Sequence, residues 1–280
     1  MTRDEALELR CATGSDVGRR RSGNEDSALA TAHLVAVADG MGGHAAGEVA
    51  SAIAVDAVAE LDARLAENPD LAPLEELAAV FTQASTVLDE RVGADPELSG
   101  MGTTLTVMLW QGRGFALGHI GDSRAYRLRG PEMTQLSRDH TLVQSLVDEG
   151  KLDEETAAVH PGRSVLIKAL LAGQVAEPDL EMHEAEPGDR YLLCSDGLTD
   201  VVSIQEIGAV LGSTDEPSDT VATLIELANE AGGPDNITCV VIHVLDSADA
   251  GDGNGVAEAA ADDSGATSAG DSESAGADRS

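Results

Sequence analysis

The sequence predicts an α+β fold in which two β-sheets form an antiparallel sandwich with helices on the outside. Short apolar runs with strand character recur along the chain in hairpin-like groups, and longer segments with helical spacing lie between them. An apolar fraction of 42% over 280 residues is ample for a core. Strands that alternated one by one with helices would instead indicate a parallel sheet.

The strand-like runs are Leu34 to Ala38, Thr103 to Trp110, Gly114 to Ile120, Ala125 to Leu128, Arg190 to Cys194 and Ile237 to Val244. Most of them end at Gly, Asp, Asn or Pro. In residues 47 to 66, Val49, Ile53, Val58, Leu61 and Leu65 recur at spacings of three to five, as on one face of a helix. Leu74, Leu77, Val80, Phe81, Leu88 and Val92 follow suit after Pro73, so the two segments make a helix pair. A short helix is expected over Leu142 to Glu149, then an irregular stretch around His160-Pro161-Gly162-Arg163, then helices over Ile204 to Leu211 and Ser218 to Ala231. From about Asp246 the chain turns to Ala, Gly, Ser and Asp, which bury too little surface to offset the entropy of ordering. The expected organisation is a folded domain over 1–245 and a disordered acidic tail over 246–280, with no internal repeat.

Composition narrows the function. With 17 Lys+Arg against 51 Asp+Glu the formal charge is −34, and aromatic residues make up 2% of the chain. Clustered cations and stacking platforms, which nucleic-acid readers need, are both scarce. The tail holds nine acids and one base, so most of the excess lies on the folded part, as a self-repelling, solvated surface or the mark of a saline habitat. Cys11, Cys194 and Cys239 make an odd count without C-x-x-C spacing, which argues against a disulfide framework or zinc knuckle and for a reducing compartment. No apolar run approaches the ~18 residues of a spanning helix, and the N-terminus lacks a signal-peptide core. A cytoplasmic protein with no membrane partner is expected.

Four aspartates stand beside strand-like runs. Asp39 follows Leu34 to Ala38 and precedes Gly40; Asp122 follows Gly114 to Ile120; Asp196 follows Arg190 to Cys194; Asp235 stands just before Ile237. Taken singly, each reads as a turn. Together, strand ends can bring such carboxylates to one edge of a sandwich, where mutual repulsion calls for cations. Oxygen ligands without suitably spaced Cys or His select Mg²⁺ or Mn²⁺ over zinc or copper. Two such ions about 3.5–4 Å apart can share a carboxylate and a water, lower the pKa of that water and aim it at phosphorus. Asp39 is placed to bridge them, and Gly40, lacking a side chain, lets its carbonyl approach a metal.

Ser15-Asp16-Val17-Gly18-Arg19-Arg20-Arg21-Ser22-Gly23-Asn24-Glu25-Asp26 supplies the cation that a phosphate would want, because guanidinium offers a planar fork to phosphate oxygens. The triple Arg also reads as a basic surface loop. Glu25 and Asp26 could orient waters around the ions, or stand as exposed loop acids.

In this order, SDVGRRRSGNED, VADGMGGHAAGEVAS, GMGTTLT, IGDSRAY, SRDHT, GDRYLLCSDGLTD and GGPDNIT resemble the protein phosphatase 2C family, the metal-dependent PPM serine/threonine phosphatases, in its bacterial branch. They are most similar to actinobacterial enzymes that oppose serine/threonine kinases of the PknB type. The resemblance covers about residues 8 to 245 and implies an αββα sandwich with a dinuclear Mn²⁺/Mg²⁺ centre. It implies that Asp39 bridges both metals, that the Gly40 carbonyl binds one, and that Asp196 and Asp235 hold the other. Arg21 matches the phosphate-binding Arg, Asp122 with Asp196 resembles the third-metal site of bacterial members, and Asn236, Glu25 and Asp26 are support. Catalysis would then rest on Arg21, Asp39 and Asp196. The implied partners are phosphorylated proteins, namely serine/threonine kinases and their substrates, met by a monomer.

Two departures matter. Met41 stands where animal and plant members carry the His proposed as proton donor, which leaves His44, His140 or a metal-bound water as candidates. The membrane anchor of many bacterial relatives is not expected here. The block from Ser137 to Ala172 corresponds to the family's flap, a lid that selects substrates.

A thiolate phosphatase needs Arg six residues after its Cys, but Val17, Asp200 and Leu245 occupy those places. Cys194 and Cys239 read instead as buried structural thiols. The expected function is hydrolysis of phosphoserine and phosphothreonine in proteins by metal-activated water, reversing kinase signalling. The alternatives are a partner-switching phosphatase acting on a phosphorylated anti-sigma antagonist, and a non-catalytic phosphoprotein-binding module.

Overall fold

The computed structural model describes residues 7–42, 45–68, 71–174, 177–246 and 256–258. Strands β1 (Leu7–Asp16), β2 (Asp26–Ala30) and β3 (Leu34–Met41) lead into the helix pair α1 (Ala45–Glu67) and α2 (Pro73–Ala94). Then come β4 (Gly102–Thr103), β5 (Leu105–Trp110), β6 (Gly114–Ile120), β7 (Arg124–Arg129) and β8 (Glu132–Gln135). The flap segment carries α3 (Leu142–Asp148), α4 (Glu154–Ala158) and β9 (Leu170–Leu171), and is followed by β10 (Asp179–Glu184) and β11 (Arg190–Cys194). Helices α5 (Asp196–Thr199), α6 (Ile204–Ser213) and α7 (Pro217–Glu230) precede β12 (Ile237–Asp246) and β13 (Val256–Glu258).

One sheet has the order β13-β1-β12-β11-β7-β8. The other runs β10-β6-β5-β3, with β2 also on β3 and β9 joined to β3 through β4. The named strand pairs are antiparallel apart from β1 with β13, which run parallel.

Three apolar clusters separate four layers. Val35 and Val37 of β3 face Val240, Ile242 and Val244 of β12 between the sheets, while Leu34, Ala36 and Ala38 turn to α1 and α2. On β12, Ile237, Cys239 and Val241 turn the other way, to α5, α6 and α7. This is the period of two expected of a strand, and because both faces are covered the runs are continuously apolar. Trp110, Phe115 and Tyr191 gather between the sheets, with the rings of Phe115 and Tyr191 4.9 Å apart. At the helix ends, Pro73 sits in the first turn of α2, and Ser203 with Glu206 forms a capping box on α6. Among the described residues no helix is long and apolar enough to cross a membrane.

The structure departs from the expected elements in several places. β1, β2, β8 and β10 were not anticipated: β8 and β10 are mostly polar sheet margins, while β1 alternates Leu7, Leu9 and Cys11 with polar residues, a pattern that was legible. The run Thr103 to Trp110 divides at Thr104, whose hydroxyl accepts the Asp39 N–H. Asp39 lies within β3 rather than beyond its end. Within the tail expected to be disordered, β12 reaches Asp246 and Val256–Glu258 pairs with the free edge of β1; the rest lies outside the described residues.

Candidate active site

The β2–β3 register sets Asp26 directly opposite Asp39, and the loops after β6 and β11 and before β12 bring Asp122, Asp196 and Asp235 to the same cleft. Like charges face to face are destabilising in a sheet. Arg21, Glu25, Asp39, Gly40, Met41, Thr104, Asp122, Asp196, Asp200 and Asp235 line this cleft of about 580 Å³, with Ser164 and Leu166 contributed by the flap. Asp39 and Asp196 lie near enough for each carboxyl group to act on the ionisation of the other. Burial, then the charges of Asp26, Asp196, Asp122 and Asp235, drive the Asp39 pKa well above the usual carboxylate range. Burial first, then Asp196, pushes Asp122 up to about 7; burial, then Asp200 and Asp235, raises Asp196 as well. Among the described residues no three acids stand close enough to enclose an ion as placed. They ring a common cleft instead, and their raised affinity for protons marks an uncompensated negative field.

Backbone geometry holds this set. Thr103 Oγ1 donates to the Asp39 carbonyl at 2.9 Å, the Asp39 N–H donates to Thr104 Oγ1 at 2.9 Å, and Thr104 Oγ1 meets Ser123 Oγ at 2.8 Å. Ser195 Oγ donates to Asp26 Oδ2 at 2.7 Å and accepts the Thr238 N–H at 3.0 Å. A Cβ on Gly40 would come within 2.1 Å of the Gly47 carbonyl and 2.4 Å of the Glu25 carbonyl. Glycine is needed there for the approach of α1 and the β2 lead-in, a reason beyond the metal access expected from the sequence.

The Arg-rich loop is fastened to the loop that carries Asp235. Arg21 Nη2 donates to Asp235 Oδ2 at 2.6 Å, and Arg21 Nη1 lies 3.9 Å from Glu25 Oε2. Asn236 is the joint: Nδ2 donates to the carbonyls of Val17 and Gly23, each at 2.9 Å, and Oδ1 accepts the Glu25 N–H at 2.8 Å. These three bonds close one loop against another, at a residue the resemblance gave only as support.

The flap is rooted by Asp139, which accepts from Arg124 at 2.6–3.0 Å, and by the Thr141–Leu166 bridge. A neighbouring hollow of about 330 Å³ shares Asp122, Ser164, Asp196 and Asp200 with the cleft. His140 is not placed as a proton donor. Its Nδ1 accepts the Gly121 N–H at 3.1 Å, its Nε2 meets Asp179 at 3.2 Å, and its ring stacks on His119, so it fastens the flap root to the sheet. His44 lies outside the described residues, and Met41 borders the cleft.

The protein phosphatase 2C family profile matches residues 18–238, a span that includes Arg21 and every acid of the cleft. The chain belongs to the protein phosphatase 2C family. Within that family it is 50% identical over 240 residues to the serine/threonine protein phosphatase PstP of Mycobacterium tuberculosis, covering 86% of this chain and 46% of that relative. The chain thus spans just under half the length of PstP. The protein phosphatase PhpP of Streptococcus pneumoniae is 36% identical over 235 residues, covering 81% of this chain and 94% of PhpP. A crystal structure of M. tuberculosis PstP superposes with a TM-score of 0.81 at 49% identity, covering 85% and 99% of the two chains. The PstP catalytic domain in complex with two manganese ions superposes with a TM-score of 0.79 at 48% identity, covering 86% and 100%.

Sequence reasoning missed several residues of this protein phosphatase 2C site. Asp200, four positions after Asp196 across the short helix α5, faces the same cleft, and that spacing was a usable signal. Ser195, Thr104 and Ser123 carried none, because hydroxyl residues beside turns are commonplace.

Proposed function

We propose that this cleft hydrolyses phosphoserine and phosphothreonine monoesters in proteins. The observation that carries the reading is the meeting of Asp39, Asp122, Asp196 and Asp235 in one cleft edged by Arg21. A desolvated all-oxygen set with raised pKa values fits hard divalent cations. Asp39, the Gly40 carbonyl, Asp196 and Asp235 would hold two Mn²⁺ or Mg²⁺ ions, as the two manganese ions of the PstP domain support, and Asp122 with Asp196 would hold a third. When bound, such ions lower the pKa of water and offset charge on the phosphoryl group.

The chain's own side chains position the substrate. Arg21 has one nitrogen on Asp235 and is about half exposed, so further N–H donors are available to fix phosphoryl oxygens. Asp26, steadied by Ser195, and Glu25, whose N–H is bound by Asn236, are placed to orient water at the acids. The flap leaves Val159, Val165 and Ile167 exposed, an apolar surface suited to a polypeptide rather than a small phosphate ester. Phosphorylated proteins are the expected clients, in keeping with the names of PstP and PhpP as protein phosphatases, with serine/threonine kinases and their substrates among them. Three free cysteines suit a reducing cytoplasm, and the net charge of −34 favours a monomer.

Mn²⁺-dependent release of phosphate from a phosphothreonine peptide is expected, with loss of activity in Asp39→Ala and Asp196→Ala. Turnover that survives both substitutions, or full chelation, would overturn the reading. Tight phosphopeptide binding without turnover would mark a binding module instead.

A further inference from the structure

Three consecutive arginines form the densest cationic stretch of a chain whose net charge is −34, yet only Arg21 lines the cleft. Other cations near the site are neutralised, Arg124 by Asp139 and Arg163 by Asp200. Arg19 and Arg20 are exposed, and among the described residues neither guanidinium meets a carboxylate.

The loop that presents them is nonetheless fixed. Gly18 turns with φ +80°, and a Cβ there would come within 2.1 Å of the Asp235 carbonyl. The Arg19 N–H donates to the Gly233 carbonyl at 2.8 Å, and Asn236 ties the carbonyls of Val17 and Gly23 on either side of the run. Arg19 and Arg20 therefore stand in a set relation to the phosphate end of the cleft. Neighbouring Cα atoms are about 3.8 Å apart and an extended Arg side chain reaches roughly 7 Å, so both guanidinium groups lie no more than roughly 20 Å from that of Arg21. An extended peptide covers such a span in about six residues.

We propose that Arg19 and Arg20 form an exosite that selects phosphoproteins carrying a second anionic group, a carboxylate or another phosphate, within about six residues of the scissile phosphoserine or phosphothreonine. The proposal rests on the phosphatase reading above. The sign of the preference is discriminating: the overall charge repels an acidic peptide, so without a local cationic site acid-flanked substrates would be the poorer ones. Two exposed ion pairs of ordinary strength would reverse this by about three- to tenfold.

The test is steady-state kinetics of the full chain with saturating Mn²⁺ at low ionic strength. Three phosphothreonine peptides are compared, with neutral flanks, with glutamates nearby, or with a second phosphothreonine nearby. KM for at least one anion-flanked peptide is expected to lie about three- to tenfold below that of the neutral peptide, with little change in kcat. The ratio should collapse toward one in the Arg19→Gln/Arg20→Gln double variant, survive in Arg19→Lys/Arg20→Lys, and shrink as salt is added. A gain confined to the doubly phosphorylated peptide assigns the pair to phosphate; a gain shared with the glutamate peptide assigns it to anions generally. A wild-type protein without the preference, or a preference that persists in the Gln double variant, overturns the exosite. Absence of turnover on all three peptides overturns the phosphatase reading instead.

Discussion

Asp39 and Asp196 share one cleft, and in the metal-free protein both desolvation and like charge oppose their ionisation. Asn at position 39 keeps the shape and removes the charge. Asp39→Asn is therefore expected to stabilise the chelated protein by about 1–3 kcal/mol while abolishing both turnover and the stabilisation that Mn²⁺ confers. Calorimetry in chelator and in Mn²⁺ checks it, and a chelated variant that melts below wild type contradicts it. Ser195 works in the opposite sense, because its hydroxyl serves Asp26 and the Thr238 N–H at once. Ser195→Ala leaves both without that partner and should cost about 1–3 kcal/mol in denaturant unfolding. The acids themselves were legible as Asp beside apolar runs. Ser195 was not, because only folding brings Asp26, 169 positions away, within its reach.

Among the elements, α1 and α2 were readable from their periodicity, since burial against one sheet demands a continuous apolar stripe. β10 was not, since it pairs along only one side, with β6, and keeps mostly polar residues. The junction of β3 with α1 is where an element-scale change should be felt most. Gly40→Ala drives a methyl group into the Gly47 and Glu25 carbonyls, which are backbone atoms that cannot swing aside. The expected result is a loss of more than about 2 kcal/mol of stability together with loss of activity, because α1 and the Asp26 strand must part from Asp39. Unchanged melting and turnover in this variant would show that the close approach does not matter.

At the scale of the whole molecule, the acid cluster sets how stability follows pH. Burial, with neighbouring acids, raises the pKa values of Asp39, Asp122, Asp196 and Asp26, that of Asp122 to about 7. An acid whose pKa is higher folded than unfolded binds protons more strongly in the folded state. Its stabilising share is fully present below about pH 4 and is lost as pH rises through the folded values. The chelated protein should therefore melt at a lower temperature at pH 8 than at pH 5.5. Mn²⁺ should raise the midpoint more at pH 8, where the ligands are already deprotonated. Thermal scans across that range with and without Mn²⁺ test both statements, and a metal effect independent of pH would contradict them.

The sequence by itself determined the local features: which stretches are strands or helices by their apolar period, which acids flank them, and a charge unsuited to nucleic acid. Only the tertiary structure decided which of those acids meet, that Asp26 faces Asp39, and that Asn236 clasps the arginine loop from 219 positions beyond Val17. The reason is that strand order and register are long-range choices of backbone pairing, and a shift of one residue would turn the same side chains to the other face.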